Sequence, residues 1–202
     1  MPSELLFDAA SHTYTLCGKR LPSVTQVLEA VGICDYSHIP YETREAAKKR
    51  GSEVHVLTQF DDESDLDEAT INPELMGYLT AWRRFRTETE LGRKSLVKIE
   101  HRGYHRYGFA GTLDREFEGR ILVDIKTGEF PYWVRLQLAA YAAILSEAEG
   151  SKELLPFRRV GVELHADGTF NVRECPVKEL RYDFDSFVAA HRVVMEKERQ
   201  KS

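Results

Sequence analysis

The sequence predicts a mixed α/β fold, a central sheet flanked by helices, and three observations carry that expectation. Between Pro22 and Gly92, apolar residues recur at helical spacing. Between Leu96 and Lys126, three short runs with Gly-containing connections read as successive strands. The Pro131–Glu147 stretch that follows is apolar on most sides, so it is expected to be a helix buried against the strands. Helices, strands, helix, strands, helix is the order of a layered α/β protein.

Taken in order, Thr13 to Leu16 followed by Cys17-Gly18-Lys19 reads as a strand and turn. Ser23 is a good N-cap, and Gln26 three residues later completes a capping box, with Gly32 placed to end that helix. A second helix is expected from about Tyr41 to Phe60, and the acidic stretch Asp61 to Glu68 reads as a solvated loop. Asn72-Pro73 opens a third helix, with Leu75, Leu79, Trp82 and Phe85 on one stripe and Gly92 as its stop. Arg83, Arg84 and Arg86 read as its solvated face. The strands are expected at Leu96 to Arg102, Gly108 to Asp114 and Arg120 to Lys126. Arg159 to Leu164 and Thr169 to Arg173 suggest a hairpin around Asp167-Gly168. Phe184, Phe187, Val188, His191 and Met195 form the stripe of a C-terminal helix. The expected organisation is one domain over 1–202, with a helical part at about 20–92, a sheet and helix at about 96–174, and a last helix at about 180–199.

At 202 residues and 42% hydrophobic, the chain can bury one substantial core. No apolar run approaches the roughly 20 residues that span a bilayer. The start lacks a signal-peptide pattern, and Glu4 and Asp8 argue against a mitochondrial presequence, so a cytoplasmic protein is expected. Cys17, Cys34 and Cys175 lie far apart, which excludes a four-cysteine zinc or iron–sulfur site from a single copy. A net charge of −5 argues against coating nucleic acid by bulk attraction, yet permits a local basic groove.

The segment with most chemistry is Gly108-Phe-Ala-Gly-Thr-Leu-Asp114, then Leu122-Val-Asp124-Ile-Lys126-Thr-Gly128. Strand alternation points Asp124 and Lys126 one way and Val123 and Ile125 into the opposite, apolar layer. Asp114 shares a face with Thr112 and Ala110, small residues that leave room for a phosphate. If the two strands pair as a hairpin, both aspartates converge at one end of the sheet. Close carboxylates repel unless a cation lies between them, and Mg²⁺ or Mn²⁺ suits such oxygen ligands. The Ile125 backbone carbonyl can add another. Lys126 is read as positioning the attacking water or stabilising the pentacovalent transition state.

Asp114 followed by Asp124-Ile125-Lys126 resembles the PD-(D/E)XK nuclease superfamily. Gln137-Leu-Ala-Ala-Tyr141 resembles the QxxxY motif of its RecB-like branch, and Arg50-Gly51-Ser-Glu-Val-His55 resembles that branch's RG..VH segment. Pro22-Ser-Val-Thr-Gln-Val-Leu28 is similar to the PSVTxVL segment of mitochondrial genome maintenance and phage-type exonucleases. These motifs fall in the family's order and span more than half of the chain. Leu113 stands where the superfamily name has proline, as in RecB-like members with GxxD. The absence of a cysteine cluster points away from the iron–sulfur subgroups.

The resemblance implies a restriction-endonuclease-like fold, metal binding by His55, Asp114 and Asp124, and a catalytic Lys126. It offers Glu100 as a further metal ligand. Gln137 and Tyr141, four apart, share a helix face that would border the site. Arg50 beside Gly51 is suited to a phosphate, and Ser23 and Thr25 lie at a helix start where free N–H groups attract one. The basic, aromatic run His101 to Tyr107 could track a single strand. The expected function is a metal-dependent DNA exonuclease acting on single strands or strand ends in repair, recombination or phage replication, alongside replication or recombination proteins. The alternatives are a structure-specific or restriction-like endonuclease, or a non-catalytic DNA-binding or recruitment module on the same fold.

Overall fold

The computed structural model describes residues 4–200. Three short strands, β1 (Leu5–Asp8), β2 (Thr13–Leu16) and β3 (Lys19–Leu21), form an antiparallel sheet. β1 and β3 lay outside the sequence expectation, because runs this short carry little periodicity. Cys17 and Gly18, at φ 50° and 78°, turn β2 into β3 as a two-residue hairpin, the geometry that matches strand twist.

Helix α1 (Val24–Ala30) begins with the expected capping box: Ser23 Oγ accepts from the Gln26 N–H, and Gln26 Oε1 accepts from the Ser23 N–H. It is followed by α2 (Tyr41–Asp62) and α3 (Met76–Glu88), then β4 (Leu96–His105), β5 (Phe109–Phe117) and β6 (Ile121–Lys126). After α4 (Val134–Ala148) come β7 (Arg158–Leu164), β8 (Phe170–Cys175) and α5 (Leu180–Arg199). The β7–β8 loop is closed by His165 donating to the Thr169 carbonyl, so it holds three residues rather than two.

β4 to β8 lie in sequence order in a five-stranded sheet, antiparallel except for the parallel β6–β7 pair joined through α4. This is a mixed α/β architecture with both sheet faces covered. On one face, α1, α4 and α5 pack over Phe109, Leu113 and Leu122. On the other, α2 and α3 pack over Phe117, Ile121, Val123, Ile125, Val160, Val162 and Leu164. The predicted stripe, Leu75 in the 3₁₀ turn Pro73–Leu75 and Leu79, Trp82 and Phe85 in α3, is buried in this second layer, each such side chain contributing roughly 1.5–3 kcal/mol. Among the described residues no helix is long and apolar enough to cross a membrane.

The charged surroundings of α3 are more structured than a solvated face. Arg83 binds Asp61 and Glu68, at 2.6 and 2.7 Å, and Arg86 reaches Asp62 at 3.3 Å. The acidic run therefore begins inside α2 and docks on α3, because arginines three residues apart on α3 meet carboxylates at the end of α2.

Candidate active site

The site lies where β6 ends and α4 begins, the carboxyl edge of the parallel pair, a usual ligand position in α/β sheets. Register places its acids. Arg115 pairs with Val123 and Glu116 with Leu122, so one step further Asp114 of β5 stands opposite Asp124 of β6. Ile99–Arg115 and His101–Leu113 pairs bracket Glu100 of β4 beside Asp114. Glu100 has φ 43°, which breaks the alternation of β4 at this residue. β5 also shifts phase here: Phe109 and Leu113 lie under α4, whereas Phe117 lies under α3.

Across from these strands, α2 presents His55. Its Nδ1 is 3.4 Å from Glu100 Oε1 and 3.6 Å from Asp114 Oδ1, and its Nε2 is 3.2 Å from the Ile125 carbonyl. One ligand atom each from His55, Glu100 and Asp114 lie within 4.8 Å of one another, a spacing that could hold a metal ion. Burial alone would depress the His55 pKa, but the Asp114 charge, the Glu100 hydrogen bond and the Glu100 charge outweigh it and raise it to about 9. A divalent ion that used His55 as a ligand would have to displace its proton.

Asp124 is 1% exposed, and both its carboxylate oxygens are buried without a hydrogen-bond partner of good geometry. It forms an ion pair with Lys126 Nζ at 2.6 Å. Burial, with the Asp114 charge adding to it, lifts the Asp124 pKa to about 6 against the pull of Lys126. Burial likewise raises Asp114, whose Oδ2 accepts the Ile125 N–H at 2.6 Å. Burial disfavours the charged form of Lys126, yet Asp124 and Asp114 reverse that and raise its pKa. The two aspartates thus favour the ammonium form of Lys126.

Arg115, unmarked in the sequence reading, organises the floor of the site. Its side chain is fully buried and donates to Asp62 Oδ2 at 2.7 Å, Glu100 Oε1 at 2.9 Å, the Asp114 carbonyl at 2.8 Å and Thr58 Oγ1 at 3.1 Å. Its guanidinium lies 5.6 Å from the Trp82 ring centroid. A charged residue next to Asp114 gave no sequence signal, since a strand reading without the phase shift does not tell which layer it enters.

Gln137 and Tyr141 of α4 are joined as expected of one helix face: Gln137 Nε2 donates to Tyr141 Oη at 3.0 Å, and both side chains are buried. Gln137 Oε1 has no protein partner. Tyr141 lies against β5 at Gly111, where an added Cβ would come within 2.6 Å of Tyr141 Cε1. Burial raises the phenol's pKa well, and the Asp114 and Asp124 charges add to the rise. The space expected beside Ala110 and Thr112 is filled instead. Tyr14 Oη bonds Thr112 Oγ1 at 2.7 Å, and Ala110 is buried with Tyr14 and Leu21 under the N-terminal sheet.

The other candidates fall differently. Arg50 is half-buried with its Nε lacking a partner, and Gly51 faces Thr127, directly after Lys126. Ser23 is buried in its capping box and bonds Thr25 Oγ1 at 3.1 Å, so its hydroxyl serves the helix. In the His101–Tyr107 run, His105 stacks on Phe109, Arg106 binds Glu147 and Arg102 lies over Phe7. That hairpin mostly packs locally because β1 and α4 flank it.

No protein-family model and no curated protein sequence matches the chain. Among solved structures, a protein from Eubacterium rectale described as a candidate exonuclease matches at TM-score 0.56 and 12% identity, over 76% of this chain and 69% of its own. An alkaline exonuclease from Laribacter hongkongensis aligns over 89% of this chain and 91% of its own at 14% identity, with TM-score 0.38. The same enzyme in complex with dAMP gives 12% identity and TM-score 0.36, over 90% and 92%. At such identities the first likeness establishes a shared fold, and the latter two are too loose to extend it.

Proposed function

We propose that this chain is a metal-dependent deoxyribonuclease of the PD-(D/E)XK type, RecB-like branch, and that it works as an exonuclease on single-stranded DNA or strand ends. The carrying observation is the convergence of His55, Glu100 and Asp114, with the Asp124–Lys126 pair on the adjoining strand. Mg²⁺ or Mn²⁺ fits this donor set: three carboxylates, one imidazole and the Ile125 carbonyl, with Asp124 Oδ1 buried and without a partner. Such an ion, when bound, would lower the pKa of a water, hold the scissile phosphate and offset charge on the leaving oxygen.

The chain's own residues do the rest. Asp124 holds the Lys126 ammonium at 2.6 Å, so its remaining donors can be aimed at water or a phosphate oxygen. Lys126 serves by positioning and charge, its ammonium paired with Asp124 and facing the acidic cluster. Arg115 keeps the Glu100 carboxylate and the Asp114 backbone in place beneath the ligands. Gln137 and Tyr141 wall the site on the α4 side, and Arg50 supplies a cation for backbone phosphate. The setting is a single cytoplasmic domain in repair, recombination or phage replication.

The test is a time course with end-labelled single and double strands, linear and circular, with Mg²⁺, Mn²⁺ or EDTA. An exonuclease degrades linear DNA, spares closed single-stranded circles and stops in EDTA. Cleavage of circles would replace it with an endonuclease. Full activity in EDTA, or no cleavage with either metal, would reject the proposal.

A further inference from the structure

The face of α4 that borders the site does not stop at Gln137. Trp133 precedes Gln137 by four residues, as Gln137 precedes Tyr141, so the three form one i, i+4, i+8 stripe from the rim of the site into its wall. The Gln137 N–H bonds the Trp133 carbonyl, which ties the tryptophan to the first helical turn. Its ring is half-buried, with Lys126 Nζ 5.9 Å from the centroid. From the other side the α1–α2 connection brings in Tyr36, whose ring meets Trp133 edge to face at 6.2 Å and 83°. Tyr36 is itself 36% exposed.

We infer that Trp133, with Tyr36 standing at right angles beside it, forms a stacking platform for an unpaired nucleobase beside Lys126, a contact that would favour single-stranded DNA. This rests on the nuclease reading and deepens it. Every base has a π-face, so an aromatic surface beside a phosphate-handling ammonium accepts any sequence while rejecting a base held in a duplex. The neighbouring charges suit it: Tyr36 is kept protonated by burial and by nearby negative charge, so it adds no repulsion toward phosphate. Trp133 packs in part on the core under α1, α4 and α5 and is otherwise open beside the acidic cluster. The other tryptophan, Trp82, is fully buried in the opposite layer.

That difference supplies the probe. The full chain is titrated in Ca²⁺ with short single-stranded oligonucleotides carrying one abasic residue walked from each end, with intrinsic fluorescence followed and strand length checked by gel. Trp133 is one of two tryptophans, so stacking quenches a large part of the solvent-sensitive emission. An abasic residue at one position is expected to weaken wild-type binding by about 5- to 150-fold, and Trp133→Leu to weaken intact DNA by the same factor. The two losses are not additive, because they remove one contact from its two sides. Trp133→Phe should retain most of the affinity without the quench, and it serves with Tyr36→Leu if the leucine variant melts early. Losses that add independently at every position, or binding without quenching, would overturn the platform. Cleavage by wild type in Mg²⁺ is scored separately. A protein that cleaves without the positional abasic effect loses only the platform, and one that shows the effect without cleaving supports the platform and loses the nuclease reading.

Discussion

Replacing Arg115 with methionine removes the buried cation on which the acid cluster is built. The substitution keeps much of the side chain's bulk and leaves Asp62, 3% exposed at its side chain, with Arg86 at 3.3 Å as its remaining ionic partner. Breaking a buried pair by deleting one member costs about 3–5 kcal/mol, because the other charge stays in a medium that does not solvate it. Glu100 and the Asp114 carbonyl lose a donor at the same time, but these losses overlap and are not summed. Against a typical total stability of about 5–15 kcal/mol, the change should lower Tm by roughly 6–20 °C for a chain of this size. Thermal and urea unfolding read the effect directly. The double variant Arg115→Met/Asp62→Leu should recover part of the loss, since the buried carboxylate leaves with its partner and Arg86, which loses that ion pair, keeps the Gly92 and Lys94 carbonyls. Refutation would be an Arg115→Met midpoint within about 1 kcal/mol of wild type, or a double variant worse than the sum of the single ones. Either result would mean that the guanidinium is not the structural counter-charge of this site.

Lys126→Ala should reduce turnover on DNA by at least about 100-fold while leaving Mn²⁺ binding within a few-fold, as expected of an electrostatic stabiliser; calorimetry and single-turnover kinetics separate the two, and unchanged turnover would remove its role. Asp124→Asn should abolish cleavage without unfolding the chain, because the amide keeps the carboxylate's shape and its oxygen can still accept from Lys126; a collapsed circular dichroism spectrum would contradict that. Gly111→Ala drives a methyl into the Tyr141 ring, so a stability loss of about 1–3 kcal/mol with reduced activity is expected, and a wild-type melting curve would show that the ring moves freely. His105 is half-enclosed by Phe109, Tyr107 and Phe184, its Nδ1 accepts the Tyr107 N–H at 3.2 Å, and burial lowers its pKa to about 4 despite Glu147. Between pH 6.5 and 4 the unfolded chain binds the proton that the folded one refuses, so this site's contribution is intact above 6.5 and lost as pH falls toward 4. His105→Phe should flatten the Tm-versus-pH curve in that window; parallel curves would refute the assignment.

Much of the fold was legible because local chemistry specified it. Ser23 and Gln26 mark a helix start by capping alone, and the Leu75, Leu79, Trp82, Phe85 stripe needs only helical period to reveal its buried side. Asp124, Ile125 and Lys126 alternate on one regular strand, so their facing followed from the period of two. Glu100 and Arg115 were not legible in this way. A positive φ at Glu100 and the phase shift in β5 redirect side chains that regular alternation would place elsewhere. Arg115 becomes the counter-charge of the cluster only because Asp62, at the far end of α2, is folded against it.

By itself, then, the sequence determined the order of the larger elements, the cap of α1, the apolar layers and the Asp–Lys strand, all of which depend on residues a few positions apart. Tertiary structure decided the grouping of His55, Glu100 and Asp114, the burial of Arg115 and the meeting of Tyr36 with Trp133 beside Lys126. These contacts join residues from α2, three strands and two connections. Their distances are set by how helices pack on a twisted sheet, which no local spacing encodes.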